Sequence, residues 1–296
     1  MRAEPIAMQG TTGCLGDIKY PGLFHLAAFD GRSGRPHDCY YPHRHDFYEI
    51  HWITAGSGEV LSDLEWHPFS AGTEFFVAPG QIHAWRVREP PQGRVVGFSR
   101  EFIESETSHV GFLSRLPFFD GSRPIPTLQM APEETVFLDR LYDALWGTAD
   151  YRDIGREDIV RAHIIILLTV ARQTLKRHGR ADPRDRQHPL VQQFRAALET
   201  NFPQLLKVVD YAELLQISRS RLNECIKRHT GLTASELIHE RIELEAKRLL
   251  RHSTLTISEI AYRLQFHDPS YFVRFFKRRT AATPGLYRKA SHRERS

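Results

Sequence analysis

The strongest constraint on this chain is that part of its final third is written twice. A shift of 50 positions lays Ser218 on Asp268, Leu222 on Phe272, Ile226 on Phe276, Lys227 on Lys277, Thr230 on Thr280 and Thr233 on Thr283. Upstream the shift is 49, with Ala212 on Ala261, Leu215 on Leu264 and Gln216 on Gln265, so the second copy carries one extra residue in its turn. A loop absorbs such an insertion at least cost.

Each copy reads as a short helix, a tight turn and a basic helix. In the second, Thr256-x-x-Glu259 is a capping box, a hydroxyl and a carboxylate that satisfy free N–H groups at a helix start. Ile260, Ala261 and Leu264 follow on one face, and Gln265-Phe266-His267 makes the turn. Asp268 then serves as N-cap, with Pro269 at the first helical position, where its missing N–H costs nothing. Phe272 and Phe276 point inward from this helix, while Arg274, Lys277, Arg278 and Arg279 lie elsewhere. Between the copies, Thr233-x-x-Glu236 opens a helix through Leu237, Ile238, Ile242, Leu244 and Leu249 with no Gly or Pro inside. Two helix-turn-helix units on a rigid spacer suit two successive major-groove segments on one face of DNA.

These residues carry a resemblance. Leu190–Arg288, and most closely Ile257–Tyr287 with Pro284 and Tyr287, resembles the DNA-binding domain of AraC/XylS-family transcriptional regulators. The resemblance implies a sequence-specific regulator of transcription that binds double-stranded DNA as a homodimer in the cytoplasm. It implies an activator rather than a repressor, with RNA polymerase as a further partner. A repressor, or a cupin enzyme fused to a DNA-binding module, is the alternative. No residue is assigned a catalytic role.

Charge agrees with a nucleic-acid face. From Leu190 onward there are 19 Lys/Arg against 11 Asp/Glu, a balance of +8, and before it 21 against 25, a balance of −4. Basic charge thus gathers where phosphates would lie. With Leu222 and Ile226 inward, helical spacing puts Ser220, Asn223, Glu224 and Lys227 outward, and the second copy offers Ser270, Val273, Arg274 and Lys277. Arg274 suits guanine, Asn223 adenine, Glu224 cytosine and Val273 a thymine methyl. Arg219, Arg221, Arg228, Arg278, Arg279 and Arg288 suit phosphates, helped by helix starts at Arg219 and Pro269.

A chain of 296 residues, 41% apolar, is large enough for two cores. It has no apolar run long enough to cross a membrane, and its first residues lack the apolar centre of a signal peptide. Cys14, Cys39 and Cys225 are odd in number and scattered, which argues against a disulfide framework or a CxxC metal clip. The expected fold is α+β, with an N-terminal arm and cupin-like sensing barrel over residues 1–131 and a helical dimerisation pair over 132–178. A linker over 179–189 precedes a DNA-binding domain over 190–296, with helix-turn-helix units at 209–230 and 257–280.

The barrel is expected from short strands at 23–29, 47–53, 58–61, 74–78 and 94–98, punctuated by turn signals at Gly56-Ser57-Gly58, Ala71-Gly72 and Pro79-Gly80. Within it, His43-x-His45-x-x-x-Glu49, then Gly56, Gly72, Pro79, Gly80 and His83, resembles the two motifs of cupin barrels. One more residue than the pattern allows separates Gly72 from Pro79, and Val87 stands where the motif has Asn. Even spacing lets His43, His45 and Glu49 share a strand face, with His83 joining from a neighbouring strand. Three imidazoles and a carboxylate suit a divalent transition metal or an effector. Trp52, Trp66, Trp85, Phe75, Phe76, His51 and Arg86 suggest an aromatic pocket wall for a small organic molecule, an aromatic acid or a sugar. The strings GFSREF and LPFF within residues 94–119 resemble regulators that sense hydroxybenzoate-like acids.

Overall fold

The computed structural model describes residues 8–9, 24–30, 42–105, 109, 111–119, 126–149, 155–179 and 188–293. The chain forms two compact units, which divide between Asp185 and Arg186. The expected N-terminal arm, apart from Met8–Gln9, and most of the expected linker lie outside the described residues.

The N-terminal unit is built on a six-stranded sheet. Its strands are β2 (Phe24–Asp30), β4 (Tyr48–Ser62), β5 (Glu65–Phe69), β6 (Thr73–Val77), β7 (His83–Phe98) and β8 (Thr127–Gln129). The order is β2-β7-β4-β6-β8, with β5 also on β4. A small parallel pair joins β1 (Met8–Gln9) to β3 (Arg44–His45). The strands expected at 47–53 and 58–61 are one continuous 15-residue strand, and Gly56-Ser57-Gly58 is a bulged stretch inside it rather than a turn. Gly56 sits at φ +90, and a Cβ on Gly58 would lie 2.2 Å from the Arg86 carbonyl, so this stretch needs glycine for bending and close approach. The strand expected at 94–98 is likewise the end of the 16-residue β7, and β5 and β8 were not anticipated.

After β7 come a short helix α1 (Arg100–Ile103), two single-turn 3-10 segments, and the helices α2 (Pro132–Ala149) and α3 (Arg156–Arg177). The pair packs on one face of the sheet. Ile50, Trp52, Val96 and Phe98 from strands share a core with Leu138, Tyr142 and Leu145 of α2 and with Ile164, Leu167 and Leu168 of α3. Val136 and Phe137 are about half exposed, and Leu138 and Tyr142 take the inward places on α2. Trp52 Nε1 donates to Asp139 and Tyr142 donates to Glu74, so two polar bonds pin α2 to the sheet. Burial pushes the Glu74 carboxyl up to about 8, which leaves it protonated near neutrality.

The C-terminal unit is all-helical: α4 (Pro189–Asn201), α5 (Val208–Leu214), α6 (Arg219–Thr230), α7 (Ala234–His252), α8 (Ile257–Arg263), α9 (Pro269–Thr280) and α10 (Pro284–Arg293). The anticipated helix boundaries hold to within a residue or two, because strong capping residues mark most of them. Ser218, Thr233, Thr256 and Asp268 each accept an N–H from the first turn that follows. The spacer helix α7 packs against α5, α6, α8, α9 and α10, and its buried Arg241, Glu245 and Arg248 form an ion-pair row reaching Glu199 on α4. No helix among the described residues is long and apolar enough to cross a membrane.

Candidate functional site

Both helix-turn-helix copies fold as read. Leu222, Ile226, Phe272 and Phe276 are fully buried, and Phe275 joins them. Gln216 and Gln265 occupy matching left-handed turn positions at φ 54 and 62. Ile217 N–H bonds Ala212 O at 3.0 Å, and Phe266 N–H bonds Ala261 O at 2.9 Å, so the register holds through these residues. His267 is therefore the inserted one.

The residues predicted to face DNA divide into two groups. Arg219, Ser220, Arg221 and Lys227 on α6 are exposed, as are Ser270, Arg274, Lys277 and Arg278 on α9, with Pro269 and Val273 partly covered. These form an open, strongly basic pair of surfaces. The other group is already engaged. Asn223 Oδ1 accepts the Ala234 N–H at 3.2 Å, which makes it a bracket for α7 rather than an idle adenine reader. Glu224 pairs with Arg228 one turn along. Arg279 Nε donates to Glu243 at 2.8 Å, and Arg288 donates to the carbonyls of Leu250 and Leu255, so these two expected phosphate ligands serve the fold instead. Burial also lowers the Arg288 pKa from its ordinary value. Helical periodicity names an outward side chain but not its partners, which come from segments distant in sequence.

In the sensor unit the sheet gathers an unusual set of groups at its inner face. Glu49 is buried, and imidazole Nε2 atoms approach its carboxylate from four residues: His51 at 2.9 Å, His45 at 3.0 Å, His25 at 3.5 Å and His83 at 3.9 Å. Strand pairing explains the convergence. His25 and Glu49 flank Gly97 in adjacent register, and a Cβ on Gly97 would lie 1.8 Å from the His25 ring, so only glycine lets that ring cross the middle strand. His51 follows Glu49 by two residues on the same face. Neither His25 nor Gly97 was singled out from sequence, because the contact needs three strands in register.

Burial alone would raise the Glu49 pKa, but the facing His45 and His51, with His25, outweigh it and hold the carboxyl well below its usual range. Burial and the neighbouring His43 and His45 push the His83 imidazole well down. His45 Nδ1 sits 2.8 Å from the Phe47 carbonyl and His83 Nδ1 3.2 Å from the Gln81 carbonyl. A carbonyl only accepts, so each Nδ1 carries a proton, and Nε2 is the ring atom that each turns toward the carboxylate. An imidazole nitrogen and a carboxylate oxygen in contact are held together by a proton or a cation between them. His45, Glu49 and His83 present one donor atom each, all within 4.8 Å of one another, so these residues fit a metal ion. His43 is outside that group, although its ring packs on His83 with centroids 4.1 Å apart.

Two further expectations change. Trp85 is on the His51 side of the sheet, 5.4 Å from the His51 ring between centroids. Trp52 faces the opposite way, into the core under α2, because it differs from His51 by one position on a strand. Arg86 likewise points outward, stacked over Trp66 at 3.9 Å and beside Glu59. Neither can line a pocket with the His/Glu group.

Sequence comparison adds to this geometry. Residues 26–163 match the AraC-like ligand binding domain, and residues 211–290 match a helix-turn-helix domain. Among relatives is the HTH-type transcriptional activator RhaR of Salmonella schwarzengrund, 22% identical over 260 residues, 87% of this chain and 90% of that one. The HTH-type transcriptional activator RhaS of Salmonella arizonae is 24% identical over 260 residues, 82% of this chain and 85% of its own. Among solved structures, the C-terminal domain of AraT, a response regulator from Geobacillus stearothermophilus, is 29% identical with a TM-score of 0.34, covering 36% of this chain and 88% of that one. An effector-type domain over the sheet, a doubled helix-turn-helix after it and relatives aligned across both units agree with one another: the chain belongs to the AraC/XylS family of DNA-binding transcriptional regulators.

Proposed function

We propose that this regulator is a ligand-responsive activator whose signal enters at the His/Glu group of the sensor sheet. The observation that carries the reading is that four imidazoles and one carboxylate are buried together on the sheet's inner face. Burying so many ionisable groups is costly unless a bound species satisfies them. His45, Glu49 and His83 would hold a divalent transition metal, with His25 and His51 completing or orienting the set and His43 supporting His83. When bound, such an ion supplies a Lewis-acid anchor for an oxygen of a small organic effector, an aromatic acid or a sugar. Trp85 and Phe75 beside His51 supply an aromatic wall for that molecule. The RhaR and RhaS relatives are named as activators, and this favours activation, with RNA polymerase as partner, over repression.

On the DNA side, Arg274, Ser270, Val273 and Lys277 of α9, with Ser220 and Lys227 of α6, are the base-facing set, and Arg219, Arg221 and Arg278 contact phosphates, with Pro269 opening α9. Homodimerisation through α3 fits Ile159 and Ile166, apolar, exposed and seven residues apart. Effector binding then acts by favouring one arrangement of the dimer over another.

The test is operator binding and run-off transcription by the full-length protein across a panel of aromatic acids and sugars, with and without added divalent metal. A ligand should raise transcription, and Glu49→Gln or His45→Ala should remove the response while basal DNA binding persists. A response unchanged in both variants would move the signal elsewhere in the sensor unit.

A further inference from the structure

A second cluster of metal-type donors lies in the helical unit, apart from every residue given to DNA above. Cys225 and His229 stand one turn apart on α6, and His188, the N-cap of α4, meets them from across the helix pair. Cys225 Sγ is 3.4 Å from His188 Nδ1, and the His188 and His229 ring centroids are 5.0 Å apart. One donor atom from each of the three lies within 4.8 Å of the others. Cys225 is half-buried and both histidines are exposed, so an ion can reach the group from solvent. Helical spacing puts Cys225 and His229 on the far side of the Leu222–Ile226 row from Asn223 and Lys227, with Arg221 and Arg228 flanking the thiol.

The second copy shows that the fold does not require these donors. Its equivalents are Phe275, buried in the core, and Arg279, paired with Glu243. The first copy could have used the same solution and instead carries a thiol and an imidazole, which a second imidazole from the start of α4 joins.

We propose that His188, Cys225 and His229 form a zinc site that ties the start of α4 to the C-terminal half of α6. A thiolate and two imidazoles are three of the four ligands of tetrahedral zinc, and water or an exogenous donor takes the fourth position. A soft sulfur beside nitrogen disfavours magnesium and calcium. On binding, one Zn–S and two Zn–N bonds form and the thiol proton passes to solvent. Sequence spacing hides the site, since His188 precedes Cys225 by 37 residues.

The experiment is cobalt(II) titration of the metal-stripped, reduced, full-length protein, followed by displacement with zinc. Cobalt bound to a thiolate gives a near-ultraviolet charge-transfer band, and the His/Glu group of the sensor sheet contains no sulfur that could produce one. The band should appear in the native chain, disappear as zinc is added, be absent in Cys225→Ser, and persist in His45→Ala. His229→Ala should weaken zinc at this site by at least about 100-fold, the upper end of what losing a mere supporting partner costs. Circular dichroism checks that each variant is folded. Absence of the band in the native chain, or its persistence in Cys225→Ser, overturns the site. Either result leaves the sensor reading standing, and loss of effector response with the band intact would do the reverse.

Discussion

The two helix-turn-helix copies begin from nearly the same plan and finish it differently. Thr230 and Thr280 make the same pair of bonds, to Ile226 and Leu232 carbonyls in one copy and to Phe276 and Ala282 carbonyls in the other. The first copy then fills its remaining positions with aliphatic or polar groups: Leu222, Asn223, Cys225 and Ile226. The second uses Phe272, Val273, Phe275 and Phe276, and Phe266 from its turn contacts three neighbouring rings. The second copy is thus fixed by an aromatic core and, Arg279 apart, leaves Ser270, Arg274, Lys277 and Arg278 exposed. The first copy spends Asn223 on α7 and Glu224 on Arg228. Duplication conserves backbone logic, and side-chain partners decide which copy is free to read bases.

The comparison can be tested from its largest expected effect downward. Phe276→Ala should cost about 3–5 kcal/mol and Ile226→Ala about 2–5 kcal/mol, with the aromatic copy losing more. Amide hydrogen exchange of α9 and α6 in the full-length protein reads each locally, and equal losses would show that the aromatic cluster adds nothing. Next, Arg274→Ala should cost about 1–3 kcal/mol of operator affinity and relax preference at one base pair. Asn223→Ala should instead lower the protection of α7 and leave base preference alone. Relaxed specificity in Asn223→Ala would restore that residue as an adenine reader.

Smaller effects separate the copies at their helix ends. Thr256 forms a full capping box with Glu259, whereas its counterpart Lys207 offers its own N–H to Asp210 and no hydroxyl. Thr256→Ala should therefore cost about 1 kcal/mol in local stability, and Lys207→Ala much less. At the other end, Gly231 and Ala281 both sit in the left-handed region, at φ 77 and 62. Ala281→Gly should relieve strain and stabilise by somewhat under about 1 kcal/mol, while Gly231→Ala should destabilise by about 1 kcal/mol. A stabilising Gly231→Ala would mean that the copies end differently from their backbone angles.

The helical unit was legible because its signals are local. Caps at Ser218, Thr233, Thr256 and Asp268 and apolar residues four apart are contained within a few turns of chain, and a repeat at a fixed offset states them twice. The sensor unit was legible mainly as a class. Its strands were divided too finely, since Gly56 and Gly58 signal a turn as readily as a bulge, and only pairing with β7 settles which. His45, Glu49 and His83 were found by spacing, but His25 was not, because nothing in residues near 25 points to Gly97 or Glu49. Trp52 and Arg86 were placed in the pocket by composition, and one-residue alternation removed both.

The sequence by itself determined the two-unit plan, the paired basic helices, their buried faces and the His/Glu motif of the sheet. These follow from periodicity, capping and charge, which act between residues a few positions apart. The tertiary structure decided which donors meet: His25 across Gly97, Asn223 on Ala234, Arg279 on Glu243, and His188 beside Cys225 and His229. Such contacts depend on strand register and helix packing across tens of residues, where a displacement of one position turns a side chain to the opposite face.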